Sequence, residues 1–377
     1  MKILGAIVTG TGRKFELTEL ELDPPRDGEV LVKVAACGVC HTDDAVRNGI
    51  IPVPMPAVLG HEGSGVAEAV GGGVTAIKPG DRVGFSYGYC GVCEACRTGR
   101  TYGCEENRRL NFSGMHFDGT NRLRLINGLS RDGEAGNDGA VSTIFGQGAF
   151  ATYAVVHVNN LYHVPDGVGL EFAAPFGCGI QTGAGAVLNY LKPGPASSIV
   201  VTGCGAVGLS AVMAAKIAGC AEIIACDVVD SRLDTALSLG ATYAINASNV
   251  ESVPGEVMRV TRGGAHYAID CTGNGESVRR SLNCTRALGI CIVLGATQEL
   301  TIHVENELMG PGKTLVGIVE GCSLPQIFIS KLLEYYARGM FPFDKLIKFY
   351  DFADIEQAFE DTKNGIVVKA VLRMGRI

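Results

Sequence analysis

The chain has 377 residues, of which 47% are hydrophobic and 19% are charged, and its formal net charge is −7. This length and composition are typical of a globular protein with about two domains. The acidic balance and the lack of a basic tract argue against nucleic acid and anionic membrane surfaces as main partners. The N-terminus lacks a signal-peptide pattern and no apolar run reaches membrane-spanning length, so we expect a cytoplasmic protein.

Cysteine and glycine are both informative. The 14 cysteines, in a chain without a secretion signal, are expected to be thiols or metal ligands and not disulfides, because the compartment is reducing. The 52 glycines are spread among apolar runs, which is typical of turns and close backbone contacts.

The first part of the chain is predicted to be rich in β-strands. The runs KILGAIVT (residues 2–9), FELTELEL (15–22) and EVLVKVAACGV (29–39) are rich in β-branched and apolar residues and are separated by Gly, Pro and Asp turns. The stretch 105–148 carries many Gly, Asn and Asp residues, which predicts exposed turns around a few short strands.

The pattern changes near residue 197. The apolar run SSIVVTGC (197–204) is followed by the helical pattern AVGLSAVMAAKIAGC (206–220) and by a second apolar run, EIIACD (222–227). This alternation continues and includes a predicted helix over 276–289. Buried strands that alternate with helices predict βαβ units and a parallel sheet covered on both faces.

A glycine-rich turn in this region has the spacing of a dinucleotide-binding loop. Gly203, Gly205 and Gly208 fit G-x-G-x-x-G between a strand and a helix, and Asp227 ends the next strand. Such glycines permit a tight turn, the approach of a pyrophosphate and close packing of the helix, whose N-terminus attracts phosphate. An acidic residue at the position of Asp227 favours NAD over NADP, although the nearby Arg232 weakens this preference. The expected loop consists of Gly203, Gly205, Ala206, Val207 and Gly208.

Three metal-binding residue types stand in glycine-rich loops that are far apart in sequence. Cys40, His61 and Cys178 are together the donors of a catalytic zinc site with an open fourth position. Each has an ordinary alternative, namely a buried thiol or a hydrogen-bonded histidine. Spacing alone does not bring the three together.

Residues beside these candidates have several possible roles. Glu62 is a candidate for a nearby carboxylate or a transient fourth ligand. Asp43 is expected either to hold the second ring nitrogen of His61 or to cap a turn. Thr42 is a candidate partner for the hydroxyl group of a bound alcohol, or an ordinary threonine at the end of a strand.

A second group of cysteines is local, with the spacing C-x2-C-x2-C-x7-C. Four thiolates suit a tetrahedral zinc site or an iron–sulfur cluster, and the long last spacing favours zinc. A closed S4 shell has no open position, so the site would be structural. Unligated thiols in a loop are the alternative. The four residues are Cys90, Cys93, Cys96 and Cys104.

Taken together, these motifs resemble the zinc-dependent alcohol dehydrogenases of the medium-chain dehydrogenase/reductase superfamily. The resemblance covers nearly the whole chain, and the motifs occur in the family's order. They are the end of the Cys40 strand, GHEGSG, KPGDRV, the four-cysteine segment, GCG with Cys178, GCGAVG and Asp227.

The resemblance implies an α/β protein with two domains. A β-rich GroES-like catalytic domain would comprise residues 1–174 and 319–377, with the structural zinc lobe at about 90–104. A Rossmann domain with a doubly wound parallel sheet would comprise residues 175–318. The active site is expected in the cleft between them.

The resemblance also implies roles for single residues and two zinc ions per chain. Cys40, His61 and Cys178 would bind the catalytic zinc, and the four-cysteine segment the structural zinc. Thr42 would begin the proton relay and Thr182 would lie behind the nicotinamide ring. The remaining expected cofactor contacts are the two basic residues at the pyrophosphate, His41 and Lys369.

One departure from the family concerns the exit of the proton. Many members have a histidine three residues after the relay threonine, where this chain has Ala45. Proton transfer to solvent would then use His41, Asp44 or ordered water.

The segments LNFSG (110–114) and FGQGAFATYA (145–154) resemble the aryl- and benzyl-alcohol dehydrogenase branch. The expected reaction interconverts a primary aryl or allylic alcohol and its aldehyde with NAD(H), by hydride transfer from a zinc-bound alkoxide. Phe112, Tyr87 and Phe145 are candidates for the lining of an aromatic or allylic pocket, or for core packing.

Two other functions remain open from the sequence. One is a reductase of the same superfamily that acts on an enone, quinone or ketone in a biosynthetic pathway. The other is a zinc-binding redox sensor without catalysis. A homodimer or homotetramer is expected, with strands near residues 289–319 pairing across a two-fold axis.

Overall fold

The computed structural model describes residues 1–126 and 139–375. Residues 127–138, which belong to the stretch predicted to consist of turns, lie outside the described residues. The chain divides into two compact units, and the predicted domain boundaries at residues 174 and 318 stay a prediction. The first unit comprises Met1–Cys178, Leu324–Glu334 and Asp344–Ile377, and the second comprises Gly179–Ser323 and Tyr335–Phe343.

The N-terminal part of the chain is rich in strands, as predicted. Its strands are β1 (Lys2–Val8), β2 (Glu16–Leu22), β3 (Glu29–Gly38), β4 (Ala57–Val58), β5 (Gly63–Val70), β6 (Arg82–Phe85), β7 (Leu123–Leu125), β8 (Ala140–Thr143), β9 (Tyr153–His157) and β10 (Leu161–His163). Its helices are α1 (His41–Arg47), α2 (Glu94–Arg97), α3 (Asn107–Phe112) and α4 (Leu170–Ala173).

In the described residues the first unit contains two sheets. The second sheet includes two strands from late in the chain, β17 (Ile347–Asp351) and β18 (Lys369–Arg373). Within the described residues, β1, β2, β7, β8 and β4 close a small barrel. A second sheet has the order β10-β6-β5-β3-β18-β17, with β9 also paired to β3. Apolar side chains of both sheets form one core, which includes the buried residues Ile7, Val32 and Phe150.

The pairing of β3 with β5 and β18 assembles the ends of three chain segments. Cys37 lies opposite Gly63 in the antiparallel ladder, and Gly38 lies opposite Val371 of β18. The residues just after β3 and just before β5 are therefore neighbours, although more than twenty positions separate them in sequence. This edge of the sheet carries most of the candidate metal ligands.

The second unit contains a parallel sheet with helices between its strands. The elements are α5 (Gly179–Gly185), β11 (Ser198–Thr202), α6 (Ala206–Ala218), β12 (Glu222–Asp227), α7 (Asp230–Leu239), β13 (Tyr243–Asn246), α8 (Val253–Thr261), β14 (Ala265–Asp270), α9 (Gly275–Asn283), β15 (Thr285–Val293) and β16 (Thr314–Gly317). The chain then continues through α10 (Pro325–Ala337) and α11 (Ile355–Lys363).

The strand order of this sheet is β13-β12-β11-β14-β15-β16, and the neighbouring strands are parallel. This is the order of a dinucleotide-binding Rossmann fold, in which ligands bind beyond the carboxyl ends of the strands. The predicted fold class, a GroES-like β-rich part and a Rossmann part, is confirmed. No helix in the described parts of the chain is both long enough and apolar enough to span a bilayer.

One predicted element has different bounds in the structure. The helix expected over 276–289 ends at Asn283, and β15 begins at Thr285. Thr285 pairs with Ala265 of β14, and Leu288 has a φ of +61°, which a right-handed helix does not permit. The free energy gained when β15 pairs with β14 therefore ends the helix earlier than predicted.

Candidate functional site

Four candidate metal ligands meet at the edge of the sheet in the first unit. One donor atom from each of Cys40, His61, Glu62 and Cys178 lies within 4.8 Å of the others. Cys40 follows β3, and the histidine and glutamate precede β5. Cys178 follows a 3₁₀ turn, Ala174–Gly177. Two thiols, an imidazole and a carboxylate at these distances fit a divalent zinc ion.

His61 has an orientation that suits metal binding. Its Nδ1 lies 3.1 Å from Asp43 Oδ1, and both side chains are fully buried. An Nδ1–H that donates to Asp43 leaves the lone pair on Nε2, which has no hydrogen-bond partner among the described residues. A buried nitrogen without a partner is costly, so the site is complete only with a ligand there.

Asp43 is itself held in place. Its Oδ1 also accepts a hydrogen bond from the backbone N–H of Gly60, at 2.9 Å. The carboxylate lies in the first turn of α1, one turn away from the cysteine ligand that precedes this helix. Asp43 thus links the segment of Cys40 to the segment of His61, which is the arrangement expected of a carboxylate behind a histidine ligand.

The charges of the cluster favour a cation. A hydrogen bond from Cys178 lowers the pKa of Cys40 well below its usual value, although burial opposes this. Burial alone lowers the pKa of His61, but the charges of Asp43 and Cys40 raise it well above its usual value. A proton and a metal therefore compete for this site, and metal binding would displace the proton.

Lys369 has a different environment from the expected contact with the cofactor pyrophosphate. Its ammonium group is buried, lies 2.5 Å from Glu62 Oε2 and donates to the carbonyl of Val39 at 2.9 Å. Burial alone lowers the pKa of Lys369, but Glu62 and Cys40 raise it above its usual value. The strand β18 brings this lysine to the candidate metal ligands. The contact of Lys369 with a cofactor stays a prediction.

The segment after Cys40 forms a helix instead of a strand end. Thr42 lies in the first turn of α1, and His41 in the same turn is exposed. Asp44 Oδ1 accepts a hydrogen bond from Arg47 Nη2 at 2.7 Å. Of the two side chains that could carry a proton to solvent, the aspartate is therefore already paired.

Aromatic rings pack on the histidine ligand. The ring of Phe145 lies 4.7 Å from that of His61, and Phe112 lies 5.3 Å from Phe145 at a near-perpendicular angle. Phe145 has a φ of +55°, and its backbone N–H donates to Asn111 O. The hydroxyl of Tyr87, the third candidate, hydrogen-bonds to the hydroxyl of Thr101 at 2.7 Å.

The four-cysteine segment is also gathered around a point. One sulfur from each of its four cysteines lies within 4.8 Å of the others. The backbone N–H of Cys93 points to Cys90 Sγ at 3.4 Å. Hydrogen bonds from the backbone of Glu105 and Cys96 lower the pKa of Cys93 to about 6. Burial instead raises the pKa of Cys96 and Cys104. Four sulfurs gathered around one point fit a closed structural metal site.

The glycine-rich loop lies at the carboxyl end of β11, as a cofactor site requires. Gly203 has a φ of +88°, and a Cβ on Gly208 would lie 1.9 Å from Gly203 O. A Cβ on Gly205 would meet no atom within 4 Å, and this residue precedes α6 as its N-cap. The tight turn and the close contact of the helix therefore require glycine, and the exposed helix N-terminus can receive phosphate.

Asp227 ends β12 beside this loop. Its Oδ2 accepts a hydrogen bond from the backbone N–H of Cys204 at 2.6 Å, and its Oδ1 accepts from Val228 and Val229 at 2.8 and 3.0 Å. The carboxylate thus fastens the glycine-rich loop to the next strand, a role that the sequence did not reveal. Its expected contact with a ribose stays a prediction.

The other two expected cofactor residues lie in the same unit. Arg232 is in α7, and its Nε is buried without a hydrogen-bond partner in the described part of the chain. A buried donor without a partner fits a site that a polar ligand completes. Thr182 lies in α5, where Gly183 approaches the start of α6 so closely that a Cβ would meet Val207 O at 1.9 Å.

Comparison with known proteins agrees with this arrangement. The family profile described as the alcohol dehydrogenase GroES-like domain matches residues 26–166, and the one described as zinc-binding dehydrogenase matches residues 206–335. A geraniol dehydrogenase of Castellaniella defragrans is 38% identical over 369 residues, covering 97% of this chain and 96% of the relative. The chain belongs to the zinc-dependent alcohol dehydrogenases of the medium-chain dehydrogenase/reductase superfamily.

Two solved structures of this family resemble the chain over its full length. They are the benzyl alcohol dehydrogenase from Acinetobacter calcoaceticus, with a TM-score of 0.93, and an alcohol dehydrogenase zinc-binding domain protein from Burkholderia ambifaria, with a TM-score of 0.94. Each is 43% identical, and the similarity covers 100% of both chains.

Membership of this alcohol dehydrogenase family establishes the general reaction. The protein is an enzyme, an oxidoreductase that interconverts alcohols and aldehydes. This finding excludes the non-catalytic redox sensor that the sequence left open. The two clusters of donors in the described residues fit the zinc dependence of the family.

Proposed function

We propose that this alcohol dehydrogenase oxidises a primary aryl or allylic alcohol to its aldehyde, and catalyses the reverse reaction, with NAD(H) as the cofactor. The observation that carries the proposal is the aromatic pair Phe145 and Phe112, packed on the metal-ligand candidate His61. Flat rings beside the candidate metal ligands suit a substrate with a flat, unsaturated group next to the reacting carbon.

The names of two relatives support the same substrate class. The relative with 38% identity is named after geraniol, and the relative with 43% identity is named after benzyl alcohol. Both alcohols have an unsaturated carbon beside the alcohol carbon. The superfamily reductase that acts on an enone or quinone is less well supported, because the metal donors are all present in this chain.

Two zinc ions per chain and one NAD are the cofactors that we propose. Cys40, His61 and Cys178 would hold the catalytic zinc, with Glu62 nearby, and the four-cysteine lobe would hold the structural zinc. A bound zinc would supply Lewis-acid activation of the substrate oxygen, and the nicotinamide would accept or donate the hydride. Asp227 at the end of β12 supports NAD, because a carboxylate repels the 2′-phosphate of NADP.

The chain's own residues would move the proton. Thr42 Oγ1, in the first turn of α1, would accept the proton of the substrate hydroxyl as it releases its own hydroxyl proton into the relay. Because Asp44 is paired with Arg47, we propose that the exposed His41 carries the proton to solvent. His41→Gln should then lower kcat and alter its pH profile, whereas Asp44→Asn should leave the profile unchanged; the reverse result would assign the exit to Asp44.

A substrate panel on metal-analysed protein tests the proposal. We expect kcat/KM for benzyl alcohol and geraniol to exceed that for ethanol by about 100-fold or more, since apolar pockets discriminate by such factors, and NAD to be preferred over NADP. Cys40→Ala should lose one zinc per chain and the activity. Equal rates with ethanol would contradict the substrate class, and full activity of Cys40→Ala would contradict the metal assignment.

The aromatic pair has its own test. Phe145→Leu should lower kcat/KM for benzyl alcohol more than for ethanol, because only the aryl substrate would lose a ring contact. Tyr87→Phe is the matched control, since the hydroxyl of Tyr87 bonds to Thr101. Equal losses for both alcohols would mean that Phe145 acts through the shape of the site and not through substrate contact.

A homo-oligomer is also part of the proposal. In the described sheet β16 is an edge strand. The exposed apolar residues Val304 and Met309 precede it in the chain, and Leu288, which is also exposed, donates its backbone N–H to Pro311 O just before this strand. A second copy that pairs with β16 would cover this edge. Light scattering should give a dimer or tetramer for the wild type and a smaller species for Leu288→Glu; an unchanged mass would contradict pairing at this edge.

We propose a cytoplasmic location for this assembly, where the lobe thiols stay reduced.

A further inference from the structure

Three consecutive residues after β16 have left-handed backbone conformations. The φ angles of Glu320, Gly321 and Cys322 are +49°, +62° and +48°. Two of the three are not glycine, and left-handed φ is unfavourable for residues with a Cβ. Such strain persists where the surroundings determine the conformation, and it is common at functional sites.

Buried hydrogen bonds hold this left-handed turn. Gln181 Nε2 donates to Glu320 Oε2 at 3.0 Å, and Ser323 Oγ is 2.7 Å from Gln181 Oε1. The side chain of Asn189 donates to the carbonyl of Gly321 at 3.0 Å. Gln181, Glu320 and Ser323 are all buried. A network of this kind fixes one backbone arrangement when its members are paired.

The turn packs directly on the backbone of α5. A Cβ on Gly321 would lie 2.2 Å from Gln181 O and 3.0 Å from Thr182 O, and a Cβ on Gly185 would lie 2.2 Å from Gly321 O. Glycine at both positions therefore permits main chain to contact main chain. The turn and the Thr182 segment form one rigid unit inside the Rossmann part.

This unit lies at the edge of the sheet where the cofactor binds. The turn follows the carboxyl end of β16, and the glycine-rich loop follows the carboxyl end of the parallel strand β11. Ligands of open parallel sheets bind outside these ends. The residue just before the turn, Val319, is 56% exposed although it is apolar, which leaves its side chain available for a ligand.

We propose that Gln181 and Glu320 are positioning residues for the nicotinamide half of the cofactor. Through their hydrogen bond they hold Thr182 and Val319 in the one arrangement against which the nicotinamide ring lies. The inference rests on the proposed NAD dependence. It assigns to the pair no contact with the ring itself and no part in binding the adenosine half.

Comparison of NADH with ADP-ribose, which lacks nicotinamide, tests this division. In Glu320→Ala and Gln181→Leu we expect the Kd for NADH to rise about ten-fold, the factor that loss of one buried hydrogen bond represents. The Kd for ADP-ribose should change less than about two-fold. Glu320→Gln should restore NADH binding, because its side-chain oxygen still accepts from Gln181. Titration by calorimetry and by NADH fluorescence gives both constants.

Two further variants separate positioning from folding. Glu320→Gly loses the carboxylate but tolerates a φ of +49°, so it should unfold at a higher urea concentration than Glu320→Ala and yet show the same loss of NADH affinity. Arg262→Ala changes another left-handed residue of the Rossmann part, with a φ of +58°. Arg262 ends α8 and precedes the amino end of β14, away from the carboxyl ends of the strands. This variant should leave the ratio of the two Kd values unchanged.

Three outcomes would overturn the inference. Equal losses for NADH and ADP-ribose would mean that the pair only supports the fold. Unchanged NADH binding in both Glu320→Ala and Gln181→Leu would remove its role in cofactor binding. A wild-type protein that binds ADP-ribose but not NADH would overturn the inference while sparing the adenosine site, whereas failure to bind either would also contradict the proposed NAD dependence.

Discussion

At the scale of single residues, Asp43 determines how His61 faces the metal cluster. We expect Asp43→Ala to weaken zinc binding at this cluster by about 10- to 100-fold, the usual cost of losing the carboxylate behind a histidine ligand. Asp43→Asn should cost less, because an amide oxygen still accepts from Nδ1. Competition with a chromophoric chelator measures the affinity without the need for catalysis.

The neighbouring carboxylate provides the control for this prediction. Asp44 lies on the same helix and pairs with Arg47 instead of with His61. Asp44→Ala should therefore keep the zinc affinity of the wild type. If both alanine variants lose zinc equally, the effect comes from the helix and not from the contact between Asp43 and His61.

His157 predicts a pH dependence of stability. Burial lowers the pKa of His157 from 6.5 to about 4, and its ring stacks on Phe117 at 3.8 Å. Between pH 6.5 and about 4 the unfolded chain binds the proton and the folded chain does not, so the free energy of unfolding falls as the pH falls. Above pH 6.5 this contribution is fully present.

Urea unfolding at several pH values measures this contribution. The wild type should lose stability more steeply between pH 6.5 and 4 than His157→Gln, which cannot take up the proton. His163→Gln removes an exposed histidine and should keep the slope of the wild type. Parallel slopes for the wild type and His157→Gln would show that His157 does not contribute.

At the scale of elements, Asp227 joins β12 to the glycine-rich loop that precedes α6. Loss of its hydrogen bonds to three backbone N–H groups should make Asp227→Ala less stable by about 3 kcal/mol, since charged and buried hydrogen bonds are among the strong ones. The substitution should also weaken NADH binding without creating a preference for NADPH. Asp230→Asn, on the exposed first turn of α7, should change stability by less than about 0.5 kcal/mol.

Urea unfolding and titration with both reduced cofactors check this prediction. A stable Asp227→Ala protein that binds NADPH tightly would mean that the carboxylate acts on the ribose alone. A less stable Asp227→Ala protein would show that the carboxylate also holds the glycine-rich loop. A change of cofactor preference at this position would then need a new hydrogen-bond partner for the backbone N–H of Cys204.

The four-cysteine lobe contains little regular structure, since its helix α2 spans only Glu94–Arg97. Its conformation should therefore depend on the metal. We expect Cys93→Ser to lose one zinc per chain and to be cleaved by proteases within residues 90–106 about ten-fold faster, which corresponds to about 1.4 kcal/mol of local stability. Cys220→Ser, a buried thiol of the other unit, should keep both properties; a normal cleavage pattern in Cys93→Ser would contradict a structural zinc.

At the scale of the whole molecule, the two compact units each have a core of their own. Saturating NADH, at 100 times its Kd, stabilises the folded state by about 2.7 kcal/mol. In hydrogen exchange this protection should appear first in β11–β16, and removal of zinc by a chelator should increase exchange in β3 and β5. Identical changes in both units would mean that they open as one cooperative unit.

Much of this protein was predictable because its signals are local. The glycine spacing after β11 and the periodic strands are set by neighbouring residues, so the Rossmann part and the β-rich part were both correctly inferred. The helix α1 was missed, because its seven residues follow a strand and two cysteines. The early end of α9 was missed because pairing with β14, a contact between distant residues, overrides helix propensity there.

The sequence by itself determined the fold class and the family, since the glycine-rich loop, the four-cysteine segment and the periodic strands all depend on short spacings. Only the tertiary structure decided which distant residues meet. It placed Lys369 against Glu62, Phe145 against His61 and Glu320 against Gln181, and these pairs are separated by 307, 84 and 139 positions. Pairing of β3 with β5 and β18 creates the first contact, and packing of a left-handed turn on α5 creates the third. Backbone hydrogen bonds from Ala149 to Gly60 and from Phe150 to Leu59 bring the segment of Phe145 to His61. No local pattern encodes any of these contacts.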